Sequence, residues 1–403
     1  MLDVLKTTFY RLLESVNNTT FRYLYHQFNL NDRLSGIIGP RGVGKTTLML
    51  QYIKNHLLPQ EKIFYFSADH IYFNKVTLID FIEELYQTEG IKIFFIDEIH
   101  KYQQWNQELK NIYDANPALK IVFSGSSSID LVKGAYDLSR RATLYQLNGL
   151  SFREFIYFKT QKNQDVIYIK DLLQNYSQYD QKLSTLEKVK GDFLEYCQYG
   201  YYPFYFEGST NFYDKINRVI DKTIYEDISN YYNLKTENLH YFKKILNFLT
   251  TIPPGKINAN NLAKHMGVDA KTALNYLHIL SETSLVNLLY PNAQGNQLLR
   301  KPEKVFIQNT TLMCALHSQL GQPVEKGTVR ELFFIQSFKG ANIPIYYSDQ
   351  GDFESLNTIF ELGGKNKTRH QIKNARHTAV IVKDDILTSS LGVIPLYYFG
   401  FLY

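Results

Sequence analysis

The stretch that decides the fold is GPRGVGKTT, residues 39–47, which fits the pattern G-x-x-x-x-G-K-[ST]. An apolar run, LSGII (34–38), precedes it, and an amphipathic segment with Leu48, Leu50 and Ile53 follows. A glycine-rich loop between a strand and a helix lets backbone N–H groups wrap phosphate oxygens at the positive end of the helix. The motif alone can arise by chance, but this strand-loop-helix context predicts a phosphate-binding loop.

The loop assigns separate roles to its last residues. Lys45 is expected to reach the β- and γ-phosphates, and the Thr46 hydroxyl is expected to ligate Mg²⁺. Thr47 is placed to assist at the α-phosphate. The residues expected to hold ATP are Gly39, Pro40, Arg41, Gly42, Val43, Gly44, Lys45, Thr46 and Thr47.

A second acidic element follows in IKIFFIDEIH, residues 91–100. Four consecutive apolar residues at 93–96 suit a strand buried on both faces, and Asp97 and Glu98 follow at its carboxyl end, where α/β sheets bind ligands. Asp97 is expected to hold Mg²⁺ through water and Glu98 to polarise the attacking water. The alternative is that the two acids only cap the next helix.

Serines follow the next apolar strand, LKIVF (119–123). Ser124 and Ser126 are candidates for contact with the γ-phosphate or the attacking water. The competing interpretation is a turn in which Ser128 caps a helix.

Two arginines, Arg140 and Arg141, precede a further strand-like segment. Either is a candidate to neutralise developing charge, from within the chain or from a neighbouring subunit. A plain surface role is the alternative. Both arginines are therefore retained as catalytic candidates.

Composition bounds the class of protein. With 403 residues and 44% hydrophobic content, the chain is long enough for two to four globular domains, and no apolar run is long enough to span a bilayer. Cys197 and Cys314 lie far apart without histidines at ligand spacing, which argues against a disulfide framework and a zinc site. A net charge of +5 is too small to establish a nucleic-acid partner, although local basic clusters can still matter. We expect a cytoplasmic protein without a membrane partner.

Several segments in this order carry a family resemblance: GPRGVGKTT, FFIDEIHKYQQW, FSGSSSIDL, DLSRRATLYQLNGLSFREF, YGYYPFYFEG and FELGGKNKTRHQIK. The chain resembles the bacterial and archaeal AAA+-type P-loop ATPases that end in a family-specific domain. The resemblance implies an α/β fold with a parallel sheet in the order 5-1-4-3-2 and hydrolysis of ATP to ADP and phosphate. It also implies a helical segment, a winged helix-turn-helix and a restriction-endonuclease-like domain of PD-(D/E)XK type.

The expected domain boundaries follow from these patterns. We expect an ATPase domain at 1–150, a helical lid or connector at 151–235, a winged helix at 236–300 and the nuclease-like domain at 301–403. A winged helix contacts DNA in some proteins and other proteins elsewhere. The expected recognition helix carries one lysine, Lys271, which is little support for DNA binding because lysine and arginine supply most phosphate contacts.

The last domain contains the acids of a possible second metal site. By the nuclease pattern, Asp352 and Glu361 would hold Mg²⁺ with support from Glu331. The pattern expects a lysine two residues after the glutamate, but the nearest is Lys365, displaced by roughly 6–7 Å along an extended chain. A bulge at the intervening glycines is one way to draw Lys365 back.

A basic stripe follows at nearly helical spacing: Lys365, Arg369, Lys373 and Arg376. It is a candidate for holding a phosphate backbone, although such stripes are more often solvated faces. Three functional hypotheses result: an ATPase that couples nucleotide state to its C-terminal modules, an ATP-gated DNA-binding protein or nuclease, and a nucleotide-controlled protein-interaction switch. An oligomer is compatible with each hypothesis.

Overall fold

A computed structural model describes residues 2–59, 61–125, 138, 140–232, 234–252, 259–292, 302–368 and 378–403. The chain divides into two compact units, Met1–Asn148 and Gly149–Tyr403. The first boundary lies two residues from the predicted end of the ATPase domain. Each unit is described by itself below.

The first unit is built on a five-stranded parallel sheet. Its strands are β1 (Leu34–Ile38), β2 (Ile63–Ser67), β3 (Ile93–Asp97), β4 (Lys120–Gly125) and β5 (Ala142–Gln146). They are ordered β2-β3-β4-β1-β5, and every neighbouring pair is parallel. Read from the other edge, this is the predicted order 5-1-4-3-2. The prediction of a parallel α/β sheet is confirmed.

Helices cover the sheet of the first unit because its central strands are apolar on both faces. All five residues of β1 and all five of β3 are buried. The helices are α1 (Leu2–Ser15), α2 (Lys45–Tyr52), α3 (Leu78–Glu89) and α4 (Trp105–Ala115), with short turns at Tyr23–His26, Ile53–Leu57, Ile71–Asn74 and Ile99–Lys101. The hydroxyl of Thr77 caps α3 by accepting from the Asp80 N–H, and Gly90 ends it with φ of 70°.

The second unit begins with helices, as the periodicity of 151–235 predicts. Ser151 and Glu154 form a reciprocal capping box at the start of the first of them. The helices are α5 (Phe152–Thr160), α6 (Ile169–Asn175), α7 (Gln178–Ser184), α8 (Val189–Tyr199), α9 (Phe212–Lys222) and α10 (Ser229–Tyr232), with turns at Pro203–Glu207 and Thr223–Ile228.

Three helices and a strand pair come next: α11 (Thr236–Thr251), α12 (Ala259–Met266), α13 (Ala270–Glu282), β6 (Val286–Leu289) and β7 (Lys304–Ile307). The Asp269 carboxylate caps α13 by accepting from the N–H groups of Lys271 and Thr272. The two strands are antiparallel, with Val286 opposite Ile307.

The chain then forms α14 (Thr310–Leu320), α15 (Lys326–Gly340) and a mixed sheet. The sheet contains β8 (Tyr346–Tyr347), β9 (Phe353–Ser355), β10 (Thr358–Gly363), β11 (Thr378–Lys383) and β12 (Val393–Pro395), and a turn at Leu396–Phe401 follows. The strand order is β12-β11-β10-β9-β8, parallel from β10 to β12 and antiparallel from β10 to β8.

One hydrophobic core runs through the second unit. Its buried residues range from Phe152 to Leu402 and include side chains from all three segments that the sequence separates. Phe334 of α15 contacts Phe360 of β10 and Phe399 near the end of the chain. The finer division at 235 and 300 stays a prediction.

Candidate functional site

The loop between β1 and α2 has the geometry that its glycines predict. Gly42 has φ of 79° and Gly44 has φ of 95°, a region that side chains disfavour. A Cβ atom on Gly39 would lie 2.0 Å from the carbonyl oxygen of Leu147. The loop therefore depends on glycine at these positions, and it leads directly into α2 at Lys45.

Lys45 is folded over this loop. Its side chain is only 5% exposed, and Nζ donates to the carbonyl oxygens of Gly39 and Pro40, each at 2.9 Å. The ammonium charge is therefore concentrated beside the loop backbone, where an anion is expected to bind.

Arg22 supports the loop from outside the motif, and no pattern in the sequence predicts this role. Its guanidinium is buried and donates to the carbonyl oxygen of Val43 within the loop. The other terminal nitrogen donates to the carbonyl oxygen of Asn148 at 2.6 Å. Arg22 thus joins the phosphate loop to the segment after β5. No spacing rule relates Arg22 to the motif.

Asp97, at the end of β3, is the centre of a network of neutral donors. Its Oδ2 accepts from Thr46 Oγ1 at 2.5 Å and from the Tyr65 hydroxyl at 2.9 Å. Its Oδ1 accepts from Ser124 Oγ and from the Glu98 N–H. Burial and the Asp97 carboxylate raise the pKa of Tyr65 well above its usual value, so Tyr65 keeps its donor proton. Thr46 and Asp97, predicted as metal ligands, are therefore in direct contact.

Tyr65 also lies outside the predicted site residues, although the sequence contains a signal for it. It lies in β2 opposite Phe95 of β3, and Asp97 follows Phe95 by two positions on the same face. A hydroxyl in the apolar run IFYFS at the strand beside the acidic residue is the pattern that identifies it.

Glu98 occupies a left-handed backbone conformation, with φ of 51° and ψ of 39°. Its Oε2 lies 3.4 Å from Nε2 of His100, whose side chain is 3% exposed, whereas that of Glu98 is 24% exposed. Non-glycine residues in this conformation are uncommon and cluster at functional sites. The alternative role of Glu98 as a helix cap gains no support, since its side chain makes no cap hydrogen bond to the following turn.

Ser124 is brought into the site, but as a neighbour of the acids. Its side chain is fully buried, donates to Asp97 and accepts from the Glu98 N–H at 3.1 Å. It therefore positions both acids. Ser126 and Ser128 lie outside the described residues.

The two arginines are not brought to the phosphate loop of their own unit. In the parallel pair β1–β5, Leu34 is opposite Ala142 and Ile38 is opposite Gln146. Arg140 and Arg141 therefore lie near the amino-terminal ends of these strands. Arg141 forms a two-point ion pair with Asp114, at 2.9 Å for each contact. The phosphate loop follows the carboxyl-terminal end of β1, at the opposite end of the strands. Action within the chain gains no support from this placement.

In the second unit, Glu331 and Asp352 lie near Glu361. Burial and the nearby carboxylates raise the pKa of Glu331 to about 7, while Lys304, 3.7 Å away, opposes the rise. The Asp352 carboxylate accepts from the Leu362 N–H at 2.8 Å. Among the residues described, no group of three or more acids, histidines or cysteines is arranged to hold a metal ion. The second metal site at Glu331, Asp352 and Glu361 therefore stays a prediction.

The lysine that pairs with Glu361 is Lys367, which corrects the interpretation of Lys365. Nζ of Lys367 contacts Oε1 of Glu361, whereas the Lys365 N–H donates to Asp385 at 2.6 Å. A Cβ atom on Gly363 would lie 2.6 Å from the Lys367 side chain, so glycine leaves the space through which that side chain returns. Arg369, Lys373 and Arg376 lie outside the described residues.

Parts of this chain are similar to known protein families and to one sequence relative. Residues 31–156 match a family model described as an AAA domain, and residues 190–323 match a domain of unknown function, DUF8612. An uncharacterized protein of Methanocaldococcus jannaschii is 26% identical over 311 residues, which cover 73% of this chain and 65% of that relative. The match and the sheet support a P-loop domain of AAA type in the first unit.

Likenesses to solved structures are weak. AMPPCP-bound DnaA from Aquifex aeolicus has a TM-score of 0.25 at 14% identity, with 69% of this chain and 87% of that chain covered. PCH-2 from C. elegans has a TM-score of 0.24 at 21% identity, with 43% and 46% covered. At these scores the likenesses carry no argument about this chain. In the part of the chain that the structure describes, no helix has the length and apolarity needed to cross a membrane.

Proposed function

We propose that the chain is an Mg²⁺-dependent ATPase whose site is formed by the phosphate loop and the end of β3. The observation that carries this proposal is the 2.5 Å contact between Thr46 Oγ1 and Asp97 Oδ2. It brings the two predicted metal ligands together beside a buried lysine and a glycine loop. A hydroxyl and a carboxylate are the oxygen donors that Mg²⁺ favours.

Lys45 exchanges its hydrogen-bond partners when ATP binds. Its ammonium donates to two neutral carbonyl oxygens of the loop, and phosphate oxygens are stronger acceptors for a cation. Exchange of these partners moves the charge of Lys45 onto the β- and γ-phosphates. When bound with ATP, Mg²⁺ supplies further neutralisation of phosphate charge beside Thr46 and Asp97.

Glu98 supplies the base. Its side chain is partly exposed and follows Asp97 directly, and its Oε2 lies 3.4 Å from Nε2 of His100. Released from His100, it orients a water molecule and accepts a proton as the water oxygen bonds to the γ-phosphorus and the bond to the β–γ bridging oxygen breaks. His100 is a positioning residue, because it acts through Glu98.

The second unit is proposed as the part that responds to nucleotide state. The three helices α11 to α13 and the antiparallel pair β6–β7 follow each other in the order of a winged helix. Helix α15 with the mixed sheet is compatible with a nuclease-like fold. Function depends on the site and not on the fold, and each of Glu331 and Glu361 has a lysine neighbour. A coupling module is therefore preferred over an active nuclease.

An ATP-gated DNA-binding protein is the second candidate. It is favoured by Lys365, which is exposed at the turn after β10 and begins the basic stripe. Turnover measured with and without duplex DNA, with cleavage followed in the same sample, separates the candidates. Stimulation or cleavage supports the DNA-dependent function. No retention of DNA at low salt would exclude it, because phosphate contacts are strongest there.

The site is tested with Lys45→Ala and Glu98→Gln, compared with Lys75→Ala and Glu84→Gln as exposed controls in the same unit. We expect Glu98→Gln to bind ATP and to lose turnover by about a hundredfold or more, whereas Lys45→Ala loses both. The measurements are equilibrium binding of a fluorescent ATP analogue and phosphate release. Wild-type turnover in Glu98→Gln would remove Glu98 from its proposed role.

A further inference from the structure

A cavity of about 610 Å³ lies within the second unit. It is partly open to solvent and is lined by residues of α8, α9, α14 and the first turns of α15, together with Asp384, Asp385 and Leu396. Its volume falls in the range of roughly 300–1,000 Å³ that small-molecule sites occupy. The apolar part of the wall includes the rings of Phe193 and Tyr213 and the side chain of Val329.

His317 of α14 gives this wall an unmet hydrogen-bonding group. The residue is 7% exposed, and neither ring nitrogen has a hydrogen-bond partner among the residues that the structure describes. Buried polar groups in folded proteins nearly always have a partner. A neutral imidazole offers one donor and one acceptor, so a ligand with a polar group can satisfy it.

The charges on the wall favour an anion. Asp384 is paired with Arg330 Nε at 2.6 Å, and Asp385 accepts the Lys365 N–H at 2.6 Å. The lysines on the wall are Lys190 and Lys326, both exposed at its outer side, and the described part of the chain gives neither of them an ion pair. Arg330 thus balances the charge of Asp384, and the two lysine ammonium groups outnumber the remaining Asp385 carboxylate, so the wall carries a net positive charge.

The thiols of the wall fit binding and not covalent chemistry. Cys197 and Cys314 both line the cavity, and burial raises the pKa of each, that of Cys314 to about 12. The thiolate, and not the thiol, is the nucleophile and metal ligand. Neither cysteine is therefore prepared to react.

We propose that this cavity binds a small aromatic anion. The ring system packs against Phe193, Tyr213 and Val329, His317 hydrogen-bonds the ligand, and the acidic group faces Lys190 and Lys326. The proposal goes beyond ATP hydrolysis and does not depend on it, because every residue of the cavity belongs to the second unit.

The test uses the full chain and two fluorescent probes of similar shape: the anion 8-anilinonaphthalene-1-sulfonate and its neutral analogue N-phenyl-1-naphthylamine. We expect one site per chain that binds the anion at least about tenfold more tightly than the neutral probe. Lys190→Gln/Lys326→Gln should remove this preference. The matched control, Lys162→Gln/Lys170→Gln, changes two exposed lysines that do not line the cavity and should keep it.

The apolar wall is tested with Val329→Trp, which fills the cavity and should weaken both probes by at least about tenfold. Val166→Trp is the control, because Val166 is 39% exposed and lies outside the wall. If Val329→Trp does not fold, Val324→Trp, on the same wall, replaces it. His317→Phe should weaken the anion while keeping the apolar shape. Equal binding of both probes to the wild type, or undiminished binding to the folded Trp variant, would overturn the proposal.

Discussion

Two groups of acids in this molecule, one at the end of β3 and one on α15 and β10, have opposite kinds of hydrogen-bond and ion-pair partners. In the first unit, Asp97 accepts from three hydroxyls and a backbone N–H. In the second, Glu331 and Glu361 each have a lysine neighbour. Neutral donors leave the carboxylate charge available to a cation, whereas a lysine already balances it. Sequence position alone does not reveal this difference.

The largest expected effect contrasts one aspartate from each group. Asp97→Asn removes the charge that the first site offers to a cation, so ATP turnover should fall by about a thousandfold. Asp352→Asn, measured in the same assay, should keep turnover within about twofold, because its carboxylate accepts the Leu362 N–H in the second unit. Equal losses in the two variants would show that the acids are not functionally distinct.

The next effect concerns Glu331 and pH. Its pKa is raised to about 7 in the folded chain from the ordinary value of 4.5. Between these values the unfolded chain loses this proton first, so the free energy of unfolding falls as pH rises and then stays level above about 7. Glu331→Gln removes this pH dependence. Its free energy of unfolding relative to that of the wild type should therefore increase by about 3 kcal/mol from pH 4 to pH 8.

Urea denaturation of both proteins at several pH values measures this difference. The matched variant is Glu354→Gln, which changes a half-buried glutamate in the neighbouring strand β9. A stability difference between Glu331→Gln and the wild type that is independent of pH would contradict the raised pKa of Glu331.

A third comparison separates two lysines of one turn. Lys367→Met leaves the buried Glu361 carboxylate without its ammonium and should lower the free energy of unfolding by about 2 kcal/mol. Lys365→Met should change it by less than about 0.5 kcal/mol, because Lys365 is exposed and uses its backbone in the contact with Asp385. Restoration of stability by adding Glu361→Gln to Lys367→Met would confirm the pair.

The smallest effect tests positioning in the first site. Ser124→Ala removes the donor to Asp97 and the acceptor of the Glu98 N–H, so turnover should fall by about tenfold with ATP binding retained. Ser35→Ala is the control, because Ser35 is equally buried in β1 and its hydroxyl has no hydrogen-bond partner among the residues described. A matching loss in both variants would indicate general packing damage.

The sequence predicts the first unit well because local patterns determine it. Apolar runs give β1 and β3, the glycines give the loop, and parallel connections bring Thr46 to Asp97. The parts it misses are contacts between distant residues: Arg22 with Val43, Tyr65 with Asp97, and Lys367 with Glu361. The first two depend on tertiary packing, and the third on a turn that spacing along an extended strand does not describe.

Arg22 also defines where this domain can be divided from its surroundings. The AAA domain match begins at residue 31, after the arginine whose guanidinium holds the phosphate loop at Val43 and the chain at Asn148. A fragment restricted to residues 31–156 would keep every residue of the phosphate-loop and acidic motifs. It would lose the hydrogen bonds that Arg22 donates to Val43 and Asn148. The smallest fragment that retains the contacts of the phosphate loop therefore starts before residue 31, where the family match begins. The ends of an expressed fragment are better chosen from these contacts than from the family match.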